Sequence, residues 1–379
     1  MGFKYGRSLR QNELRLLRPF SLCNDRLSFR VSVSTRESAP GYTAVSYTWG
    51  DDAPTETIYL DGKPFRVRPN LWSCLYYLGR NAQSSAFLCM WVDAICINQS
   101  DSTERNAQVT LMDVTYKNAS FVSVWLGLIP FPEDLQSQVP NQAPIKTVES
   151  DGFDWMDAVD DVANRPYWSR FWVIQEFLLG KDVILYCGNH GINWQDFQDM
   201  LCREAGVSLF GDIQQPNPRL GPPKSFDPLP LVMGRTPDKH PEMLLPLHDL
   251  LISHHKSKYK DPRDRIFALM GLITAEERDF MGRFFPDYRI SEDGVVILTL
   301  AHLMLGILWQ GSHDEAITAN STEIFLGLGV ESKSKRRRLC VELEELITWA
   351  STHPVLLLKR WSLGMRWNNW EVWMKKTTR

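Results

Sequence analysis

Apolar residues in the first half of the chain follow two alternating patterns. Short β-branched and aromatic runs, Tyr42–Tyr47, Phe87–Val92, Phe121–Leu126 and Val183–Cys187, each stop at a polar or glycine-bearing turn and predict strands. Phe87–Val92 is almost wholly apolar, as in a strand covered on both faces. Between the runs, apolar positions recur at helical spacing. Leu71, Trp72, Leu75 and Leu78 follow Asn70, a capping residue type, and Ala107, Leu111, Val114 and Tyr116 lie in a helix that starts at Ser102 with Glu104 and Arg105. Thr57–Leu60 and Pro64–Val67 flank Asp61-Gly62, the dipeptide of a tight hairpin. Strand alternating with helix predicts a parallel α/β sheet, expected to end after the Val183–Cys187 strand at Gly188.

The remaining segments set the expected boundaries. Residues 1–40 read as a polar N-terminal arm, and 41–205 as the α/β domain, with helical patterning over 151–163 and 167–180 and an exposed Pro- and Gln-rich insertion near 128–150. Residues 206–240 are rich in Pro and Gly and read as a linker. Residues 241–379 read as mainly helical, with helices at 243–256, 263–282 and 291–310. The basic run 333–338 reads as a solvated loop before a last amphipathic helix; a nuclear-localisation or phosphate-binding patch is its rival.

Composition narrows the function classes. The chain has 379 residues, 44% of them hydrophobic and 23% charged, and a formal net charge of -3. That balance creates no global field for nucleic acid or an anionic membrane. No apolar run is long enough to span a bilayer, and the first residues mix charge with apolar side chains, unlike a secretory segment, so a cytoplasmic location is expected. The seven cysteines are scattered without a CxxC pair and read as buried apolar residues in a reducing compartment. His254 and His255 have no cysteine or carboxylate at ligand spacing, so no metal site is expected. Walker-type, GxGxxG and GxSxG motifs are absent, which disfavours NTPase, dehydrogenase and serine-hydrolase chemistry.

Three segments carry a family resemblance: Tyr42-TAVSYTWGD-Asp52, Trp91-VDAICINQSDSTERNAQVTLMDVTYKNASFVSVWLG-Gly127, and Arg165-PYWSRFWVIQEF-Phe177 followed by VILYCG. Together they resemble the heterokaryon-incompatibility (HET) domain of filamentous fungi. A fourth, Asp261-PRDRIFALMGL-Leu272 with Phe285–Tyr288, resembles the helical region that commonly follows. The chain after about 311 resembles nothing placed here. The resemblance implies an effector of non-self recognition and regulated cell death, with an allelic or non-self protein as partner and self-association as a further mode.

Ser46–Gly50, Asp93 and Trp125–Gly127 each fall where an expected strand gives way to a loop. In open α/β sheets the ligand crevice lies beyond the carboxyl ends of the strands. The element order also resembles that of a TIR domain, which implies a flavodoxin-like, mostly parallel sheet flanked by helices. The resemblance makes Glu176, in Trp172-Val-Ile-Gln-Glu176, the catalytic carboxylate for cleaving the nicotinamide–ribose bond of NAD. NAD is then a substrate, and no tightly bound cofactor is implied. Ser46, Tyr47, Trp49, Asp93 and Trp172 are the candidate ligand-binding residues, with aromatics to stack on nicotinamide or adenine and the Asp93–Asp101 loop as a lid.

Each assignment has a structural rival. A buried Trp172 and a Glu176 reaching an arginine such as Arg170 produce the same letters. Trp49, Trp91 and Trp125 fit a core as well as a ligand platform, Asp93 fits a loop cap, and Glu104 fits a first-turn carboxylate. Two further functions stay open: a non-enzymatic signalling module, and a HET-like protein recruited to a biosynthetic small-molecule role.

Overall fold

The computed structural model describes residues 2–21, 26–50, 52–80, 89–131, 161–162, 164–198, 244–310 and 322–352. Most of the expected 128–150 insertion, the 206–240 linker and the chain after Thr352 lie outside the described residues. The chain forms two compact units: Met1–Gln108 with Val114–Glu242, and Val109–Asp113 with Met243–Arg379.

The first unit is built on one mixed sheet. Its strands are β1 (Glu13–Ser21), β2 (Ser28–Thr35), β3 (Thr43–Tyr47), β4 (Glu56–Leu60), β5 (Lys63–Val67), β6 (Met90–Trp91), β7 (Phe121–Trp125), β8 (Val183–Cys187) and β9 (His190–Asn193). They lie side by side as β5-β4-β2-β1-β6-β3-β7-β8-β9. The central strands β6, β3, β7 and β8 pair in parallel. Taken in chain order, these strands run 2-1-3-4, so the order reverses between β3 and β7.

The expectation of a mostly parallel sheet is corrected outside this centre. β1–β2, β1–β6, β4–β5 and β8–β9 are antiparallel, while β2–β4 is parallel. The segment expected to be a polar arm supplies β1 and β2. Its alternation is obscured because Arg15 interrupts Leu14, Leu16 and Leu17, yet all four side chains are buried. β9, short and polar, extends the sheet past its expected end at Gly188. The β4–β5 hairpin forms as its sequence predicts, with Asp61 at φ 49° and Gly62 at φ 76°, the left-handed pair that an Asp-Gly turn supplies.

Helices α1 (Pro69–Arg80), α2 (Asp93–Cys96), α3 (Ser102–Thr110), α4 (Met112–Asn118) and α5 (Trp172–Leu179) pack on this sheet. The helix expected to run unbroken from Ser102 through Tyr116 is interrupted at Leu111, and Asp113 takes the first turn of α4, where negative charge suits a helix start. Side chains alternate between faces along β3. Tyr77 of α1 stacks on Trp125, centroids 5.7 Å apart, and Trp125 is in register with Tyr47. Tyr116 of α4 meets Trp91 edge-on at 5.5 Å, and Trp91 is in register with Ala44. Thus α1 covers the Tyr47 face, while α4, and α5 through a contact of Glu176, cover the face of Ala44 and Ser46.

The second unit contains α6 (Leu247–Ser253), α7 (Asp264–Phe267), α8 (Ala275–Met281), α9 (Glu292–Gln310), α10 (322–327) and α11 (Lys333–Thr352). The helix expected over 263–282 is two short helices. Thr274 caps the second, its hydroxyl accepting from Glu277 N at 3.4 Å. The two pieces of the fourth sequence segment are joined by Arg263, which donates to Tyr288 O at 2.7 Å and Ile290 O at 2.9 Å. The 333–338 run is not a loop but the start of α11. Lys335 and Arg338 pair with Asp293 of α9 at 3.0 and 2.5 Å, and Leu339 and Leu343 are buried.

Candidate functional site

β3 delivers Ser46 to the carboxyl edge of the parallel strands with its side chain on the α5 face. Its neighbours there come from one segment 120 or more residues later in the chain. A 3-10 turn over Pro166–Ser169, entered through Arg165 with extended backbone, places Tyr167, and α5 then carries Glu176 on its buried side. Ser46 Oγ donates to Glu176 Oε2 and lies 2.8 Å from Tyr167 Oη. A serine hydroxyl has one proton. With Glu176 ionised, the chain therefore runs from Tyr167 to Ser46 to the carboxylate.

Glu176 is only 2% exposed. Burial raises its carboxyl from the usual carboxylate range to about 7, with Arg170 opposing the rise, Asp93 adding to it and the Ser46 hydrogen bond opposing it. A protonated Glu176 reverses the hydroxyl chain, donating to Ser46 and so to Tyr167. The group is poised to hold or release a proton near neutrality.

Asp93 opens α2 immediately after β6. Its Oδ2 accepts from Trp49 Nε1 at 2.8 Å and its Oδ1 from Ala94 N at 2.7 Å. Burial raises this carboxyl too, opposed by Arg170, Trp49 and Ala94. Arg170 donates to Tyr47 O, and its charge acts on both carboxylates. Trp49 also receives Arg68 over its ring at 5.3 Å.

Two further devices hold this edge. Asn70 Nδ2 donates to Thr48 O at 2.6 Å, and its Oδ1 accepts from Trp125 Nε1 at 2.9 Å, so one α1 side chain ties the ends of β3 and β7 together. Glu104 and Arg15 form a buried two-pronged ion pair. The same carboxylate accepts from Asn98 N at 2.7 Å and Leu9 N at 3.0 Å. Arg15 and Tyr5 also donate to Cys96 O and Ile95 O, at 3.1 and 2.9 Å. Gln99 closes the turn by donating to Asp93 O at 3.0 Å.

Of the sequence-derived candidates, Ser46 and Glu176 are in direct contact, and Trp49 and Asp93 form a second contact on the same edge. Tyr47 contributes its backbone carbonyl; its buried side chain lies on the opposite face of β3 from Ser46. Trp172 is half-buried, and its side chain makes no hydrogen bond or ring contact among the described residues, so it stands apart from the polar network. Sequence reasoning missed Tyr167 and the tie made by Asn70. Glu104 is the first-turn carboxylate of α3 that the sequence suggested, and beyond that it is 1% exposed and anchors the 96–98 turn. No spacing signal links Ser46 to Tyr167, because the fold alone joins them.

Residues 42–176 match the family model described as Heterokaryon incompatibility protein (HET). The Heterokaryon incompatibility protein 6, OR allele, of Neurospora crassa is 27% identical over 346 residues, covering 73% of this chain and 48% of that protein. The chain thus spans about half the length of the curated relative it matches. No solved structure gives a significant match. The matched segment contains Ser46, Asp93, Tyr167, Arg170 and Glu176, and it opens at β3 and closes on α5. The chain therefore carries a heterokaryon-incompatibility (HET) domain, and the carboxyl-edge cluster lies within it.

Proposed function

We propose that this chain acts in heterokaryon incompatibility, as a non-self recognition effector whose HET domain cleaves NAD at the nicotinamide–ribose bond. The observation that carries the reading is the Ser46–Glu176 contact, a carboxyl group near neutrality at the carboxyl edge of β3. The 2-1-3-4 order of the parallel strands supports a flavodoxin-like, TIR-like core, with its crevice expected beside β3 and β7.

The chemistry asks little of the protein. The C–N bond to a cationic pyridinium breaks with its electron pair passing to the ring nitrogen, so nicotinamide leaves neutral without a general acid. Water then bonds to the ribose carbon and releases a proton. An ionised Glu176 stabilises the positive charge that develops on the ribose. Because Glu176 is 2% exposed, substrate reaches it only after the edge opens. The Trp49–Asp93 contact is the part of the edge suited to give way, with the turn after Asp93 as the lid. Engagement of a non-self partner would supply the opening.

The near-complete burial of Glu176 favours a second reading, a non-enzymatic module in which the Tyr167–Ser46–Glu176 chain is a structural lock. Incubation of the purified chain with NAD separates the two. The enzymatic reading expects nicotinamide release that Glu176→Gln abolishes while the fold is kept. Cell death on overexpression that persists in Glu176→Gln, with NAD level unchanged, would establish the second reading instead.

A further inference from the structure

The outer half of the sheet, β1, β2, β4 and β5, carries a diagonal row of cations on one face. Arg18 of β1 and Arg30 of β2 are directly opposite each other, and both are exposed. Residues i and i+2 of a strand share a face, as do residues in register on neighbouring strands. Ser28 of β2 is in register with Tyr59 of β4, and Thr57 of β4 with Arg66 of β5, so Tyr59 and the exposed Arg66 lie on the face of Arg30. Two rings belong to the same row. Arg30 lies over Phe20 at 4.3 Å, and Arg26, also exposed, lies over Tyr59 at 3.8 Å. Phe20 is itself 63% exposed.

Like charges directly opposite on paired strands repel. Among the described residues, none of Arg18, Arg26, Arg30 and Arg66 is in an ion pair that would offset this. Arg66 donates only to Thr55 O and Thr57 Oγ1. The carboxylates on neighbouring positions are engaged elsewhere: Glu56 is on the other face of β4 with the buried Ile58 and Leu60, Asp61 accepts from Val31 N at 3.1 Å, and Glu13 pairs with Arg7. One sheet face thus presents four arginines without counter-charge around an exposed ring, which is one side of a charge-complementary interface.

We propose that this face docks an acidic, extended segment of a partner protein, with carboxylates received by Arg18, Arg30 and Arg66 and an apolar side chain received by Phe20. Arginine suits carboxylates because its planar fork offers two parallel hydrogen bonds, and a guanidinium lying over a ring keeps that fork available at its rim. A single-stranded nucleic acid would want open ring faces on which its bases stack, and here each ring already has a guanidinium over it. None of these residues belongs to the Glu176 cluster, so this docking and NAD cleavage stand or fall separately.

The test is binding of a fluorescent peptide of alternating glutamate and serine to the full chain, followed by anisotropy, beside an oligodeoxythymidylate of matched length. Arg18→Glu, Arg30→Glu and Lys181→Glu make the same change in net charge, and Lys181 is an exposed residue just ahead of β8. Arg18→Glu and Arg30→Glu each turn a repelling cross-strand pair into an attracting one, so the Tm of both should equal or exceed that of the wild type. Peptide affinity should fall about tenfold or more in both, as a charge-assisted hydrogen bond is lost and a repulsion gained, and should hold in Lys181→Glu. Rising salt should weaken the wild-type complex. A wild-type chain that does not bind the peptide would overturn the proposal, and so would an equal loss in all three variants, which marks a general charge effect. Tighter binding of the oligonucleotide than of the peptide, lost in Arg18→Glu, would put a nucleic acid in place of the protein partner. A lowered Tm in Arg18→Glu and Arg30→Glu would also overturn the proposal, by showing that these arginines have an internal counter-charge.

Discussion

Replacing Glu176 by Gln should make the protein more stable in alkali than the wild type, and the size of the effect follows from its burial. The carboxyl is raised from 4.5 to about 7 in the folded chain. Between those values the native state holds a proton that the unfolded state has lost. Stability is therefore greatest below the unfolded pKa and falls as pH rises through the folded one. At 1.36 kcal/mol per unit the loss is about 3 kcal/mol by pH 8.5. Glu176→Gln keeps the shape and an oxygen for Ser46 but cannot ionise, so it escapes this loss. Urea unfolding of both proteins at pH 5 and pH 8.5 measures the difference, and all shared titrations cancel in the comparison. Because pH 5 already lies above the unfolded pKa, the gap between variant and wild type should move by about 2.5 kcal/mol in favour of the variant from pH 5 to pH 8.5. A gap that stays constant across that range would refute the claim that Glu176 is held near neutrality by burial.

Two further substitutions probe the scaffold of the site. Glu104→Ala leaves Arg15 buried without its counter-charge and frees the Asn98 and Leu9 amides, so urea unfolding should show a loss of about 3–5 kcal/mol. The pair Arg15→Met with Glu104→Leu should lose less than Glu104→Ala alone, because no uncompensated charge is left, and a larger loss would contradict this account. Asn70→Ala removes the tie between Thr48 O and Trp125 Nε1 and leaves the Trp125 donor unpaired beneath α1. A destabilisation of about 1–3 kcal/mol in the same assay is expected, and a neutral result would remove Asn70 from the scaffold.

Much of the parallel centre was readable from local pattern. β3, β7 and β8 are short apolar runs, and the Asp-Gly hairpin announces itself through the one dipeptide that suits its turn. The outer strands were harder to read. β1 was hidden because Arg15 looks like solvent-facing charge, and the counter-charge that makes its burial tolerable, Glu104, lies 89 residues away. β9 was hidden because a short polar segment becomes a strand only where β8 offers a partner. Segments at 206–240 and beyond Thr352 lie outside the described residues.

The sequence by itself carried the HET resemblance, the strand ends at which a ligand crevice is expected and Glu176 as the candidate carboxylate. Those properties depend on residue types and near spacing. Tertiary structure alone decided that Ser46, Tyr167 and Glu176 touch, and that the Trp172 side chain does not join them. It also decided the ionisation of Glu176, because a pKa is set by the groups and the solvent around a carboxyl. Those surroundings come from β3, from Arg170 ahead of α5 and from the Asp93 turn, which only folding brings together.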